Sequence, residues 1–401
     1  MRFLKADYIF PISSAPVKDG ILILDDEGKV VEVLDPAIDP QSSTQIFEKD
    51  GELEIFKGLL CPGFINAHCH LELSHMKGKL SEKQKLPGFL RQVSTMRNSD
   101  ETEIISAMEA ADAEMVANGI VAVGDISNNA QSFDIKLNSR IAYYTFIELF
   151  DFHPDRSNDV FNKGKMLYEQ LKGIGLRGSI VPHAPYTVSN KLLKLINDFA
   201  YESGELICIH NQETQSENSM FKLKNGELFE FLQGATNLYT HWEPTGFASL
   251  ASSIVHLPKC NKIQLVHNTY TTSEDVNWAQ LYSMLMWWCF CPNANLFIED
   301  KMPDIPMFVN HAAKITIGTD SYASNWSLSV FDELKTIHKH YPEISVHNLL
   351  TWATLNGAEY LGLHHSLGSF DKGKKPGVNH ILDLESNTFH LMENSQVIPL
   401  E

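Results

Sequence analysis

Hydrophobic and polar positions form short, strand-length patterns at both ends of the chain. The runs Tyr8–Ile12, Gly20–Leu24 and Lys29–Leu34 are separated by turn residues such as those of Asp25–Gly28. A similar short run, His380–Leu384, lies beyond residue 365. Strands from the two chain ends can pair with each other, so we predict a small β-sandwich domain formed by residues 1–57 and 366–401.

Between residues 58 and 365, longer apolar runs alternate with helix-length stretches. The apolar runs that we interpret as strands are Leu59–Ile65, Ile120–Val123, Ile141–Leu149, Leu176–Val181, Leu206–Ile209, Ile263–Val266, Leu285–Cys291 and Ile315–Ile317. Helices are predicted, among others, at Glu101–Asn118, Asp159–Leu171, Asn190–Glu202 and Ser327–Tyr341. Eight alternating units are typical of an α/β protein with a (β/α)8 TIM-type barrel, and we assign residues 58–365 to it.

The overall charge narrows the class of partner. The chain has 32 Lys and Arg against 50 Asp and Glu, a formal net charge of −18, and no basic block. This balance argues against a nucleic-acid groove or an anionic membrane surface, and leaves a small-molecule substrate as the expected partner. Lys5 and Asp7 interrupt the apolar core that a signal peptide needs, and Met284–Cys291 is too short to span a bilayer. The six cysteines form no dense framework, so we expect a cytoplasmic protein, with a homodimer favoured on frequency alone.

Histidines follow several of the predicted strands at the point where each strand ends. His68 and His70 end the first run, and in an extended strand residues i and i+2 point to the same face. His210 ends the fifth run, and Asp320 follows the eighth. In a TIM-type barrel the carboxyl ends of the strands share one rim, where the chemistry takes place. Three imidazoles and a carboxylate would hold a divalent metal and leave a position for water, so we predict a metal site. Structural histidines at a barrel mouth and a turn-capping aspartate are the alternatives.

Other polar residues on this predicted rim suggest catalytic and binding roles. Glu213 lies three residues after His210 and could reach a water on the metal, although a surface glutamate is the alternative. His267 could stabilise a developing oxyanion, or it could be a buried structural histidine. His183 stands between two prolines and is better placed for substrate than for metal. Glu72 could bind a substrate hydroxyl, and a structural role is equally well supported.

A glycine pattern elsewhere in the chain is not assigned to a cofactor. Gly173–Gly178 matches G-x-G-x-x-G, but it precedes a predicted strand instead of following one and opening a helix. We therefore predict no dinucleotide site there.

Taken together, these motifs resemble the amidohydrolase superfamily, and more narrowly its chlorohydrolase and deaminase branch. That branch includes adenosine, methylthioadenosine/S-adenosylhomocysteine and aminodeoxyfutalosine deaminases. The resemblance covers nearly the whole chain and is carried by Pro62–Ser74, Pro182–Ser189, His210–Glu213, Gly318–Asn325, Ala353–Ala358 and Gly368–Lys374. Relatives commonly have a Lys-Ala-Asp run where this chain has Lys375–His380, which bears only on the subfamily.

The resemblance implies one Zn²⁺ (or Fe²⁺) held by His68, His70, His210 and Asp320. It implies catalytic roles for Glu213, His267 and Asp320. It also places His183 where this branch usually contacts the substrate, and we assign Glu72 and Asn325 to substrate binding as well. Binuclear members often have a carboxylated lysine in the fourth strand, and Leu176–Val181 contains no lysine, so we expect a single metal.

The expected reaction is hydrolytic deamination of an aminated heterocycle, most specifically an adenine-nucleoside-like substrate such as aminodeoxyfutalosine. Glu213 would carry a proton from water to the ring nitrogen, and Asp320 would pass a second proton to the departing ammonia. A chlorohydrolase, or a guanine, cytosine or pterin deaminase, is the alternative on the same scaffold. A non-catalytic binding barrel is a more distant one.

Overall fold

The computed structural model describes residues 1–38, 53–235, 239, 242–384 and 389–400. Parts of the predicted terminal domain, residues 39–52 and 385–388, lie outside this description. By their internal contacts the residues form two compact units. The first contains Met1–Ala67, Ala113–Val123 and Ser329–Glu401, and the second contains His68–Asp112 and Gly124–Leu328.

Fifteen strands lie in the described part of the chain. They are β1 (Arg2–Ile9), β2 (Val17–Lys18), β3 (Ile21–Leu24), β4 (Val30–Leu34), β5 (Leu53–Pro62), β6 (Phe64–Cys69), β7 (Ile120–Ser127), β8 (Ala142–Leu149), β9 (Arg177–Pro182), β10 (Ile207–Asn211), β11 (Ile263–His267), β12 (Met286–Phe290), β13 (Lys314–Ile317), β14 (Val378–Leu382) and β15 (Gln396–Leu400).

Helices separate the later strands, as the alternating pattern predicts. The α-helices are Lys85–Met96, Glu101–Ala117, Phe133–Asn138, Ser157–Gly173, Asn190–Ser203, Gln215–Leu223, Glu227–Ala235, Ser249–Ser253, Ser273–Tyr282, Pro292–Glu299, Ile305–Asn310, Val330–His340, Val346–Thr351 and Gly357–Tyr360. Shorter 3₁₀ segments are Leu71–Met76, Pro154–Arg156 and Ile254–His256, and Trp352–Asn356 is a π-helical segment.

In the first unit, strands from both chain ends form one seven-stranded sheet. Its order is β15-β14-β5-β1-β3-β4, with β2 added to β1. The pairs are antiparallel except β1 with β5, which are parallel. Leu4, Ile9, Leu22 and Leu60 belong to a buried apolar cluster of this unit. The pairing of the two chain ends is therefore observed as predicted.

Parallel strands form two further sheets, with orders β6-β7-β8-β9 and β10-β11-β12-β13. In the second sheet each strand pairs in parallel with the next one along the chain. Strands β10, β11 and β12 are buried along their whole length, which is why they read as continuous apolar runs. The predicted α/β class with parallel sheets is confirmed.

One predicted strand is divided in the structure. The run Leu59–Ile65 is divided between β5, which belongs to the first unit's sheet, and β6, which carries His68. Gly63 lies between the two strands, and a Cβ there would come within 2.4 Å of Val121 Cγ1 and 2.7 Å of the Pro376 carbonyl oxygen. An apolar run alone does not reveal such a break, because both halves are buried.

Candidate active site

Two histidines meet where β6 ends. His68 is the fifth residue of the strand and His70 follows it, and their Nε2 atoms lie 3.1 Å apart. A glycine provides space beside them, because a Cβ on Gly318 would lie 2.8 Å from the Cβ of His68. The H-x-H motif thus brings two imidazole nitrogens to one point, as the strand periodicity predicts.

His210 and Asp320 reach the same point from other strand ends. The Nε2 atoms of His70 and His210 lie 3.2 Å apart. Asp320 Oδ1 lies 3.3 Å from His70 Nε2 and 3.6 Å from His68 Nε2. Ligands at about 2.0–2.1 Å in a tetrahedral zinc site are about 3.3 Å from one another, so this donor set fits a single divalent ion.

His267 lies next to this group and is a fifth candidate donor. Donor atoms of His68, His210, His267 and Asp320 all lie within 4.8 Å of one another. We nevertheless favour His70 over His267 as the fourth donor, because the spacings of 3.1–3.3 Å between His70 Nε2 and its neighbours match a common coordination shell.

Burial keeps the donors in the protonation states that a cation requires. Loss of water lowers the pKa of His70 and of His210 well below the usual histidine value, so both rings are neutral and offer a lone pair. Burial alone would raise the pKa of Asp320, but its hydrogen bond with His68 and the nearby imidazoles hold that pKa well below its usual value. Asp320 is therefore ionised.

Glu213 lies beside His267, with its Oε1 3.8 Å from His267 Nε2. Burial, followed by the charge of Asp320, raises the pKa of Glu213 well above its usual value. The loop that carries Glu213 is held by Glu217, whose carboxylate accepts the backbone N–H groups of Gln212 and Glu213 at 3.2 Å each. A buried carboxyl group with a raised pKa holds a proton more firmly than an exposed one, which suits a residue that takes up a proton and then delivers it.

Strained backbone conformations at two strand ends help to orient the side chains of the site. His267 has φ 74° and Asp320 has φ 56°, both in the left-handed region that residues other than glycine rarely adopt. Such conformations persist where the surrounding structure determines them, and they cluster at active sites. His267 is further oriented because its Nδ1 lies 2.9 Å from Asn295 Oδ1.

A cavity opens over the donor group. Its walls combine the proposed donors with apolar and polar side chains, namely His70, Leu73, Leu86, Phe89, Leu90, Val93, Ser94, Arg97, Asn128, Glu148, Phe150, His183, Tyr186, Thr187, His210, Glu213, His267, Asp320 and Ser321. His183 lies on this wall, with Nδ1 2.8 Å from Thr187 Oγ1. Burial lowers the pKa of His183 to about 4, so its ring is neutral.

Two predicted substrate contacts are engaged elsewhere. Among the described residues, Glu72 is not one of those that line the cavity. Its carboxylate accepts hydrogen bonds from the backbone N–H groups of Asn128 and Asn129 at 3.1–3.2 Å. Asn325 does not line it either. Its Nδ2 donates to the Thr319 carbonyl at 2.7 Å, and its Oδ1 accepts the Trp326 N–H at 2.7 Å.

Three polar residues of this region were not predicted. Asp125 and Lys136 form an ion pair of 2.6 Å with both side chains wholly buried, and Asp125 Oδ1 accepts the Leu71 N–H at 2.7 Å, directly after His70. Glu148 lines the cavity near the end of β8. The rule that polar residues matter at strand ends could have found Glu148. It missed Asp125 because the predicted strand stopped at Val123, whereas β7 continues to Ser127.

Breaking this ion pair should destabilise the protein strongly. Lys136→Met leaves Asp125 as an uncompensated charge away from water, and we expect the free energy of unfolding to fall by about 3–5 kcal/mol. The double variant Asp125→Asn with Lys136→Met removes both charges and should recover most of that loss. Urea unfolding of the two variants and the parent measures the effect. Equal stability of Lys136→Met and the parent would contradict it.

The model of the amidohydrolase family matches residues 59–397 of this chain. The chain belongs to the amidohydrolase family. The predicted resemblance is thereby confirmed, as is the prediction that the chain is a hydrolase acting on C–N bonds. The match also accounts for a site assembled from the ends of several parallel strands.

Two of the similar proteins are named as deaminases. A 5-methylthioadenosine/S-adenosylhomocysteine deaminase of Saccharophagus degradans is 26% identical over 368 residues, covering 87% of this chain and 76% of the relative. An aminodeoxyfutalosine deaminase of Deinococcus radiodurans is 26% identical over 314 residues, covering 76% and 73%.

A solved structure shares the fold. Helicobacter pylori aminofutalosine deaminase in complex with methylthio-coformycin superposes with a TM-score of 0.77 at 21% identity, covering 94% of this chain and 91% of that one. Among the described residues, every helix is too short or too polar to cross a membrane.

Proposed function

We propose that this amidohydrolase is a metal-dependent deaminase of an adenine-nucleoside-like substrate, such as aminodeoxyfutalosine, and that it releases ammonia. The observation that carries the proposal is the convergence of three imidazole nitrogens and one carboxylate oxygen near the buried Glu213. His70 Nε2 lies 3.1–3.3 Å from donor atoms of His68, His210 and Asp320, and Asp320 Oδ1 lies 3.6 Å from His68 Nε2. The deaminases among its relatives support the reaction and the substrate class.

His68, His70, His210 and Asp320 would hold one divalent ion, Zn²⁺ or Fe²⁺. Neutral nitrogen donors with a single carboxylate suit such borderline ions better than Mg²⁺ or Ca²⁺, which prefer oxygen ligands. The bound ion supplies Lewis acidity that lets a water molecule ionise near pH 7.

Glu213 transfers a proton to the substrate in this proposal. Its raised pKa favours holding the proton that it takes from the attacking water until that proton is delivered. Delivery of that proton to the ring nitrogen next to the amine-bearing carbon makes the carbon more electrophilic. The same residue thus acts first as base and then as acid.

His267 orients the attacking water. Because Nδ1 donates to Asn295 Oδ1, the neutral ring presents a bare Nε2 toward Glu213, and this nitrogen accepts a hydrogen bond. The hydroxyl group of the tetrahedral adduct can donate to the same nitrogen, so His267 stabilises the adduct without taking up a proton. Asp320 accepts the second proton and passes it to the departing ammonia.

Substrate contacts are proposed for His183, Glu72 and Asn325. The place of His183 on the cavity wall supports its assignment. For Glu72 and Asn325 the assignment requires a rearrangement of the hydrogen bonds that occupy their side chains.

An ammonia-release screen tests the proposed substrate class. Adenosine, methylthioadenosine, S-adenosylhomocysteine and aminodeoxyfutalosine are compared with guanine, cytosine, a pterin and a chlorinated triazine. We expect at least one adenine nucleoside to have a kcat/KM in the range of about 10⁴–10⁸ M⁻¹s⁻¹ that is usual for enzymes. Turnover confined to the other rings would overturn the proposed substrate class and leave the hydrolase assignment intact.

We further propose that the eight strands β6 to β13 close into a (β/α)8 barrel. Two contacts support closure: the His210 N–H donates to the His183 carbonyl at 2.9 Å, and Cys69 forms a parallel bridge with Asp320. The chain ends, residues 1–57 and 366–401, would form the β-sandwich domain, and residues 58–365 would form the barrel.

Location and assembly complete the proposal. All six cysteines are free thiols, which fits the reducing cytoplasm. The proposed partner is a small-molecule substrate, with no nucleic acid and no membrane. The proposed assembly is a homodimer.

A further inference from the structure

Glu148 takes no part in the proton transfers proposed above, yet one of its carboxylate oxygens lacks a partner. The residue is 6% exposed. Its Oε2 accepts a hydrogen bond from Asn128 Nδ2 at 3.0 Å, whereas its Oε1 is buried without a hydrogen-bond partner among the described residues. A buried acceptor of this kind costs free energy unless a donor reaches it.

The neighbouring histidine does not satisfy this oxygen. His210 Nδ1 lies 3.7 Å from Glu148 Oε1, beyond hydrogen-bond distance, and it is already paired with the His183 carbonyl at 2.8 Å. The Nε2 of the same ring faces the metal donors. Glu148 Oε1 therefore lies on the far side of the His210 ring from the reacting centre.

The position of Glu148 points to a ligand as the missing donor. Glu148 lines the cavity, together with Asn128 and His183. Glu72 provides a contrast within the same region, because its carboxylate is occupied by backbone N–H groups and does not line the cavity. Of these two buried carboxylates, Glu148 is the one with an oxygen, Oε1, that accepts no hydrogen bond among the described residues.

The chemistry of the substrate class decides what this acceptor binds. In an adenine nucleoside the ring nitrogens N1, N3 and N7 are acceptors, and the N–H donors of the base belong to the amine that leaves. In adenosine and methylthioadenosine the remaining donors are the hydroxyl groups of the sugar. A carboxylate oxygen set apart from the reacting centre is complementary to a sugar hydroxyl.

We propose that Glu148 is a specificity-determining residue that accepts a hydrogen bond from a sugar hydroxyl of the substrate. This inference rests on the proposed function, since it requires a nucleoside in the cavity. It makes the enzyme selective for substrates with that hydroxyl, because an analogue without it leaves Glu148 Oε1 unpaired.

Two variants of Glu148 test the contact. Glu148→Met removes the acceptor but leaves Asn128 Nδ2 its second partner, the Glu148 carbonyl, at 3.1 Å. Glu148→Gln keeps the shape, and Asn128 should hold the amide oxygen so that the amide NH₂ faces the cavity. Each variant is assayed for ammonia release with the best nucleoside substrate and with its 2′-deoxy and 3′-deoxy analogues. Metal content and circular dichroism establish that each variant is folded and loaded.

Wild-type kcat/KM should fall by about 10- to 100-fold on the analogue that lacks the contacted hydroxyl. Glu148→Met should show a similar loss on the parent nucleoside, mainly through a raised KM, and little further loss on that analogue. Glu205→Gln is the matched control. Glu205 is a carboxylate that accepts hydrogen bonds from Tyr144 and Tyr168 and does not line the cavity, so its substitution should affect all three substrates equally.

Different results would contradict the role of Glu148 and the proposed deaminase function. An equal loss for Glu148→Met on all three substrates, or a wild-type enzyme indifferent to both hydroxyls, would overturn the role of Glu148 and leave the deaminase intact. A wild-type enzyme that releases no ammonia from any adenine nucleoside would overturn the proposed function and this inference together.

Discussion

Glu213→Gln is expected to lower kcat by about 10²–10⁴-fold while the protein keeps its metal. Glutamine has nearly the same shape, but it can neither take a proton from water nor deliver one to the ring nitrogen. Glu213 lies outside the group of four donors, and its Oε1 is 3.8 Å from His267 Nε2, so coordination should persist. Steady-state ammonia release and elemental analysis of the same preparation measure both quantities.

The control for this prediction is again Glu205→Gln, which removes a carboxylate away from the cavity and should retain kcat close to wild type. A fully active Glu213→Gln enzyme would remove Glu213 as the proton carrier. Loss of metal from Glu213→Gln would instead place Glu213 among the ligands, contrary to the geometry.

His70→Asn should cost the enzyme most of its metal. His70 Nε2 is within 3.3 Å of donor atoms from His68, His210 and Asp320, so its removal takes one corner from the tetrahedral set. Substitution of groups that merely support metal ligands weakens binding about 10–100-fold, and loss of a ligand should exceed that. We expect substoichiometric metal after purification and a loss of kcat/KM greater than about 100-fold.

His183→Asn is the matched variant, because it alters another buried histidine of the same cavity. Its Nδ1 is engaged by Thr187, and the ring lies outside the four proposed donors. It should keep a full complement of metal and change mainly KM. Stoichiometric metal in His70→Asn, or metal loss in His183→Asn alone, would require a different donor set, one in which His267 replaces His70.

Sequence reasoning succeeded where local pattern and chemistry agree. All eight apolar runs of the central region lie on or overlap observed strands, because buried parallel strands need apolar residues on both faces. His68, His70, His210 and Asp320 each stand at or just after a strand end. Since parallel strands bring these ends to one edge, the sequence pattern was enough to predict a common site.

Contacts between segments that are distant in sequence were outside the reach of local pattern. For Glu72 the sequence left a substrate contact and a structural role open, and the hydrogen bonds from the backbone N–H groups of Asn128 and Asn129, more than fifty residues away, are visible only in the structure. At Gly63, between β5 and β6, the close approach of Val121 and Pro376 leaves no room for a side chain. Contacts between residues so distant in sequence leave no trace in local periodicity.

The sequence by itself determined the alternation of strands and helices, the histidines and carboxylates available for a metal, and the family to which they belong. Only the tertiary structure decided which carboxylate has an oxygen to spare in the cavity, Glu148 instead of Glu72. The left-handed backbone of His267 and Asp320 was likewise decided there, with φ of 74° and 56°. The physical reason is that periodicity determines the face of a strand on which a side chain lies. The direction of a side chain that follows the strand end is determined by packing and hydrogen bonds from distant segments.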